Sequence, residues 1–148
     1  NSALGYKIKF VPRLNTLREV ASLYNNVDCL WANSLAEGFM LPAVEALLCG
    51  LPVISTNYSG MTQFLTKENS YLVDIDDYEI AYDGKFFMGD HNGKWAKFED
   101  QIEQCIEYLR EIYNKKQVDG QIVNNKGHKD AQEFTWQKSA QTLINSIF

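Results

Sequence analysis

Apolar residues fall in short blocks along the first half of the chain, and the spacing inside each block predicts an element. Ile8, Phe10 and Val11, after Lys7, read as a short strand ending at Pro12. Thr16 with Glu19 three residues on has the form of a capping box. Leu17, Val20, Ala21 and Tyr24 then give one apolar helix face, which Asn25-Asn26 ends. Val27-Asp28-Cys29-Leu30-Trp31-Ala32 reads as a mostly buried strand of the kind found in parallel sheets. A polar, glycine-bearing turn follows over positions 33–39. Pro42 fits the first turn of the next helix, where its missing N–H costs nothing, and Gly50 stops that helix after positions 43–49. A strand over 51–56, a loop over 57–60, a short helix over 61–65 and a last strand at Tyr71-Leu72-Val73 complete the block.

The second half follows a different pattern. From Tyr78 to Trp95 there is no clean period, glycines stand at 84, 89 and 93, and the stretch reads as irregular. Ile102, Cys105, Ile106, Leu109, Ile112 and Tyr113 keep offsets of three and four, the mark of an amphipathic helix. Positions 118–131 read as a weaker helical stretch broken near Gly127. Thr135 can cap a final helix with Trp136, Ala140, Leu143, Ile144 and Ile147 on one face. Alternating strands and helices in short units predict an α/β fold, a Rossmann-like parallel sheet flanked by helices with a helical C-terminal tail. The expected division is an α/β core over 1–77, an irregular segment over 78–98 and a helical tail over 99–148, all within one domain.

Composition narrows the partners. A net charge of −5 and a pI near 5.0 argue against nucleic acid, which selects basic surfaces. The only charged side chains before Glu19 are Lys7, Lys9, Arg13 and Arg18. They fit a solvated strand edge and helix face, or a positive field near a phosphate. Three cysteines without CxxC spacing offer neither a disulfide framework nor a zinc site. Cys29 and Cys105 read as core residues, and a reducing cytoplasm is the expected compartment. The most apolar stretch, 39–54, carries Glu45, two prolines and Gly50, so it does not read as a plain membrane-spanning helix.

In such sheets ligands bind at the carboxyl ends of strands, where loops enter helices. The segment from Glu37-Gly38-Phe39-Met40-Leu41-Pro42 to Glu45 places an acid and a glycine turn just before a helix N-terminus. Free N–H groups there suit a phosphate or sugar hydroxyls, and the helix dipole favours negative charge. Glu45, three residues beyond Pro42, can accept hydrogen bonds from the paired hydroxyls of a ribose. The same spacing fits a plainer role, with Glu37 capping the turn and Glu45 favouring the positive helix end. Asp74-Ile75-Asp76-Asp77 has the form of a D-x-D metal motif for Mg²⁺ or Mn²⁺, or of a solvated acidic turn. His91 and His128 share no ligand spacing and read as exposed loop residues. Trp95 fits either a sugar-covering or a packing role.

The run from Glu37 to Glu45 resembles the E-x7-E signature of retaining glycosyltransferases of the GT-B architecture, especially glycosyltransferase family 4. Leu17 to Ser34 is similar to that family's helix and following strand. Leu51 to Gly60 is similar to its Pro-Val-Ile strand and glycine loop. Tyr58-Ser59-Gly60-Met61-Thr62-Gln63-Phe64 and Gly93-Lys94-Trp95-Ala96 look like one bacterial subgroup. The resemblance covers about two-thirds of the chain. It implies the C-terminal half of a GT-B fold, with Glu37 on the transferred sugar. Backbone N–H groups around Gly38, Phe39, Met40 and Leu41 would meet sugar hydroxyls and the diphosphate, and Glu45 the ribose. Arg13, Ser34 and Gly60 are expected neighbours of that donor site. Met40 stands where the family usually has glycine, and its side chain either narrows the sugar pocket or points away.

The resemblance further implies hexosyl transfer from a nucleotide-sugar to a hydroxyl acceptor, as in polysaccharide biosynthesis. The acceptor, a glycan or other hydroxyl compound, would lie on an N-terminal domain outside these residues. No metal or other cofactor is expected, nor a nucleic-acid partner. The parent would be cytoplasmic, with peripheral membrane association open to it. The donor domain is expected to be N-terminally incomplete, since two further strands precede the matching segment in the family. The alternatives are a metal-dependent GT-A-type transferase using Asp74 and Asp76, or a module that holds a nucleotide-sugar without turnover.

Overall fold

In the computed structural model, residues 8–89, 91–97 and 101–147 are described. Lys7 and the boundary expected at 98/99 lie outside the described residues. Helix α1 spans Leu17–Tyr24 and begins on the expected capping box: the Glu19 N–H donates to Thr16 Oγ1 at 3.2 Å, and the Thr16 N–H donates to Glu19 Oε2 at 2.9 Å. Strands β1 (Leu30–Ala32), β2 (Val53–Thr56) and β3 (Tyr71–Val73) form a parallel sheet in that order, with helix α2 (Leu41–Leu48) between β1 and β2. The short helix expected over 61–65 forms as a 3-10 helix, Ser59–Gln63, and links β2 towards β3.

Every residue of β2 is buried, as a central parallel strand requires. β1 departs from its expected burial. It starts at Leu30, three residues later than the apolar run suggests, and Trp31 is half exposed. The reason is position: among the described residues β1 pairs with β2 alone and stands at the edge of the sheet. The strand expected at Ile8, Phe10 and Val11 does not form. Those side chains are exposed and no neighbouring strand offers them a ladder.

Two cores flank the sheet. One gathers Ala43, Val44, Leu47, Met61, Phe64 and Leu65; the other sets Ile54 and Val73 against Cys105 and Ile112 of α3, Ile102–Asp119. The break expected near Gly127 falls earlier, at Gly120, whose φ of 75° ends α3. Helix α4, Asn125–Ala131, contains Gly127 in its interior. An added Cβ there would stand 2.5 Å from Leu47 Cδ2, so the glycine allows α4 to lie against α2. Helix α5, Trp136–Ile147, forms as expected, with Thr135 Oγ1 accepting the Lys138 N–H. Its apolar face is exposed among the described residues. No helix among them is long and apolar enough to cross a membrane.

The segment expected to be irregular contains an antiparallel pair, β4 (Tyr78–Ile80) and β5 (Lys94–Ala96), extended by a bridge between Tyr82 and Met88. Asp83 organises the tip. Its Oδ1 accepts the N–H groups of Lys85, Phe86 and Phe87 at 2.8–2.9 Å, and these bonds hold its carboxyl below the usual range.

Asn69 joins the sheet to α4. It is 2 % exposed; its amide donates to Phe64 O at 2.9 Å and Asp130 Oδ2 at 3.0 Å, and its Oδ1 accepts the Thr66 N–H at 2.8 Å. Asn69→Ala should cost about 2–4 kcal/mol, from three lost bonds, one of which leaves the buried Phe64 carbonyl without its donor. Urea unfolding measures the change, and a loss below about 1 kcal/mol would deny Asn69 this role.

Candidate functional site

The loop after β1 and the loop after β2 leave neighbouring parallel strands at their carboxyl ends, and they are fastened to each other. Thr56 Oγ1 donates to Ser34 O at 2.8 Å, the Glu37 N–H donates to Ser59 Oγ at 2.8 Å, and the Gly60 N–H donates to Glu37 O at 2.9 Å. The approach is close enough to demand glycine at position 60. A Cβ there would stand 2.1 Å from Gly38 O and 2.7 Å from Glu37 O. Gly38, by contrast, has open space where its Cβ would be.

Within this frame Ser34, Glu37 and Gly60 are brought together. Ser34 donates its hydroxyl to Glu37 Oε1 at 2.6 Å, which orients the half-buried carboxylate. No acceptor among the described residues is paired with the N–H groups of Gly38, Phe39 or Met40, and α2 begins directly afterwards at Leu41 without a side-chain cap. These donors stand at the positive end of the helix, the arrangement that receives anions.

Met40 resolves the two expectations held for it. Its φ of 68° lies in the left-handed region that favours glycine. Its side chain is 8 % exposed and belongs to the core with Ala43, Val44 and Leu47, so it points away from the open side of the turn. Phe39 packs beside it, tilted 4.9 Å from the Phe64 ring. Leu41 is exposed on the first turn of α2.

Glu45 lies further along α2, half buried, with Oε2 accepting the Tyr24 hydroxyl at 3.3 Å. Burial first, and then the Glu45 charge, pushes the Tyr24 phenol up to about 12. Tyr24 therefore stays a donor, and one Glu45 oxygen is left for another partner. In the sequence Tyr24 reads only as part of an apolar helix face, because a partner 21 positions away has no local signature.

Arg13 is exposed in the segment before α1, and no hydrogen bond, ion pair or ring contact joins it to the turn. The aspartates of 74–77 point to separate partners: Asp74 to Lys67 at 2.9 Å and Asn57 at 3.0 Å, Asp76 to Gln101 at 2.9 Å, Asp77 to Lys97 at 2.7 Å. His91 is exposed and accepts the Gly93 N–H, as a loop residue would. His128 differs from its expected loop setting. It sits on α4 with Nδ1 2.7 Å from Leu48 O at the end of α2. Burial raises the thiols of Cys29, Cys49 and Cys105, which keeps them protonated.

Two clefts among the described residues bear on the choice of site. The larger, about 450 Å³, opens at the opposite end of the sheet beside Pro52 and Tyr71, and its lysines are engaged, Lys67 with Asp74 and Lys115 with Glu111. The smaller, about 340 Å³, adjoins the Glu37 turn between Ser34 and Trp95.

The chain matches the family model described as Glycosyl transferases group 1 over residues 1–129. It is 26% identical over 129 residues to a D-inositol 3-phosphate glycosyltransferase of Paenarthrobacter aurescens (strain TC1), covering 86% of this chain and 26% of that protein. It is 23% identical over 143 residues to the proteins of that name from Mycobacterium bovis (strain BCG / Pasteur 1173P2) and Mycobacterium tuberculosis (strain ATCC 25177 / H37Ra), covering 97% of this chain and 25% of each. The chain thus spans about a quarter of the length of these curated relatives.

The close approach at position 60 sets one expectation. Gly60→Ala should destabilise by about 3 kcal/mol, the upper range for overpacking, because backbone rather than a side-chain end stands in the way. Gly38→Ala should stay within about 0.5 kcal/mol of the parent. Equal urea midpoints for the two would show that the loops are not locked together. Tyr24 sets a second. Its raised pKa contributes stability that is complete below pH 10 and lost as pH rises through about 12. Ultraviolet difference titration against Tyr24→Phe should show this phenol ionising near 12. Glu45→Gln should lower that midpoint while burial keeps it above 10; an unmoved midpoint would separate the two side chains.

Proposed function

Because the chain belongs to the group 1 glycosyl transferases, we propose that it is the donor-binding part of an enzyme that transfers a hexosyl group from a nucleotide-sugar to a hydroxyl acceptor with retention of configuration. The observation that carries this reading is the row of N–H groups at Gly38, Phe39 and Met40, unpaired among the described residues and following the Glu37 carboxylate at the mouth of α2. As the bond from the anomeric carbon to the diphosphate breaks, negative charge grows on the leaving oxygen. Fixed donors at a helix N-terminus stabilise that charge without having to reorganise. Glu37, steered by Ser34, meets hydroxyls of the transferred sugar, and the free oxygen of Glu45 meets the ribose. Sugar and nucleotide are thereby held in attack geometry.

The relatives are named for D-inositol 3-phosphate, a polyol, which supports a hydroxyl acceptor. In this reading the acceptor is held by chain outside these residues, and a cytoplasmic setting supplies the nucleotide-sugar. Donor binding runs through backbone N–H groups and needs no metal, so EDTA should leave it unchanged. A binding module without turnover would retain the same donor affinity and fail only in product formation.

Calorimetry tests the assignment. Glu45→Gln should weaken UDP or GDP binding about 10- to 150-fold, the equivalent of one charge-assisted bond. Glu37→Ala should leave nucleoside diphosphate binding nearly intact and remove the affinity gained from an attached hexose. Unchanged nucleotide affinity in Glu45→Gln would take that residue out of the site, and equal losses for both ligands in Glu37→Ala would reduce Glu37 to a structural part of the turn.

A further inference from the structure

The smaller cleft adjoins the Glu37 turn, and Glu45 is not among its walls. Its walls are Ser34 and Ala36 on the loop after β1, and Phe87, Gly93, Lys94 and Trp95 on the β4–β5 hairpin. We propose that it is a second carbohydrate subsite, which takes one pyranose ring against Phe87 and Trp95 beside the Glu37 turn.

The lining has the two-sided chemistry of a sugar. A pyranose presents C–H groups with partial positive charge on its faces and hydroxyls around its rim. The negative face of an aromatic ring attracts the first, and polar side chains take the second. Phe87 and Trp95 supply the rings, 5.6 Å apart and inclined at 72°, so they form two walls of a corner rather than a closed stack. Ser34 supplies a hydroxyl. Lys94 supplies an ammonium that makes no ion pair or hydrogen bond among the described residues. The volume, about 340 Å³, lies at the low end of the roughly 300–1,000 Å³ range of small-ligand sites, enough for one ring rather than a long chain.

The aromatic wall is held in place before any ligand arrives. The Ala96 N–H donates to Leu35 O at 2.9 Å, which ties β5 to the Glu37 loop. The Tyr58 hydroxyl donates to Lys94 O at 2.9 Å, and the Tyr58 ring lies 5.0 Å from that of Tyr78, which ties the hairpin to the loop after β2. Asp83 fixes the tip that carries Phe87. Rigid rings placed in advance lose little entropy on binding. Phe87 also meets the His91 ring edge-on, 5.5 Å between centroids, so its ring is braced from both sides while 41 % of the residue stays exposed.

The cleft is also continuous with the proposed donor site through one residue. Ser34 lines the cleft and donates to Glu37 Oε1. A ring seated on Phe87 and Trp95 thus lies next to the Ser34–Glu37 pair. The inference rests on the reading of that turn as a sugar-transfer site. The ring is either the attached hexose of the donor, extended outward, or a sugar of the acceptor; the binding chemistry is the same.

The test is saturation-transfer NMR on the full-length polypeptide with two sets of probes: the methyl α- and β-glycosides of D-glucose, D-galactose and D-mannose, and UDP, UDP-glucose and GDP-mannose. Ring C–H protons of at least one probe should be saturated. Trp95→Ala and Phe87→Ala should weaken that binding about tenfold or more. Trp95→Phe, which keeps a ring in the wall and guards against a folding defect, should restore most of it. Phe86→Ala, a substitution outside the cleft, should change nothing. Saturation of simple glycosides assigns the subsite to the acceptor; saturation of the hexose only when it is joined to a nucleotide assigns it to the donor. Ring saturation absent in every probe, or indifferent to both Trp95→Ala and Phe87→Ala, overturns the proposal. Nucleotide binding is read separately: failure of UDP, UDP-glucose and GDP-mannose alike to bind defeats the donor-site reading, whereas absence of ring saturation with nucleotide binding intact defeats the subsite alone.

Discussion

The carboxyl end of the sheet depends on how closely the backbone at Gly60 approaches the peptide between Glu37 and Gly38. With no Cβ at position 60, the Gly60 N–H reaches Glu37 O, and Ser59 receives the Glu37 N–H. Two loops that would otherwise move separately become one body. The orientation of the Glu37 carboxylate, the open row of N–H groups and the start of α2 all follow from this contact. So does the seat of the β4–β5 hairpin, which holds on to both loops through Leu35 and Tyr58. Polar groups at the mouth of a parallel sheet need such bracing, because positioning to a fraction of an ångström separates a catalytic arrangement from a merely polar one.

Local signals carried much of this architecture. The capping box at Thr16, Pro42 inside the start of α2, Gly50 beyond its end and the alternation of short strands with helices are written in adjacent residues, and the structure contains each of them. The turn from Glu37 to Leu41 was legible for the same reason. What was not legible depends on partners distant in sequence. Ile8, Phe10 and Val11 have strand composition but meet no ladder, and β1 is an edge because of what it lacks on one side. β4 and β5 are each three residues long and are held as much by the neighbouring loop as by each other. Tyr24 acquires its role only when α1 and α2 pack.

The charged groups follow the same division. The acidic run 74–77 looked like one cluster in the sequence, yet its side chains diverge to Lys67, Gln101 and Lys97, because successive residues at a strand end point in different directions. These exposed pairs contribute little stability individually. Polar groups with structural consequence are the buried ones, Asn69 above all, and the half-buried Glu37 and Glu45, each of which already has one protein donor and room for another partner.

Met40 couples the turn to the interior. A glycine there would let the backbone swing at little cost. A methionine in the same left-handed geometry has its thioether among Ala43, Val44 and Leu47. Any motion that reshapes the N–H row must draw that side chain out of the core or carry the first turn of α2 with it. The turn is therefore anchored to the interior at its helix end, so reshaping it costs the burial of a large apolar side chain as well as the rotation of its backbone.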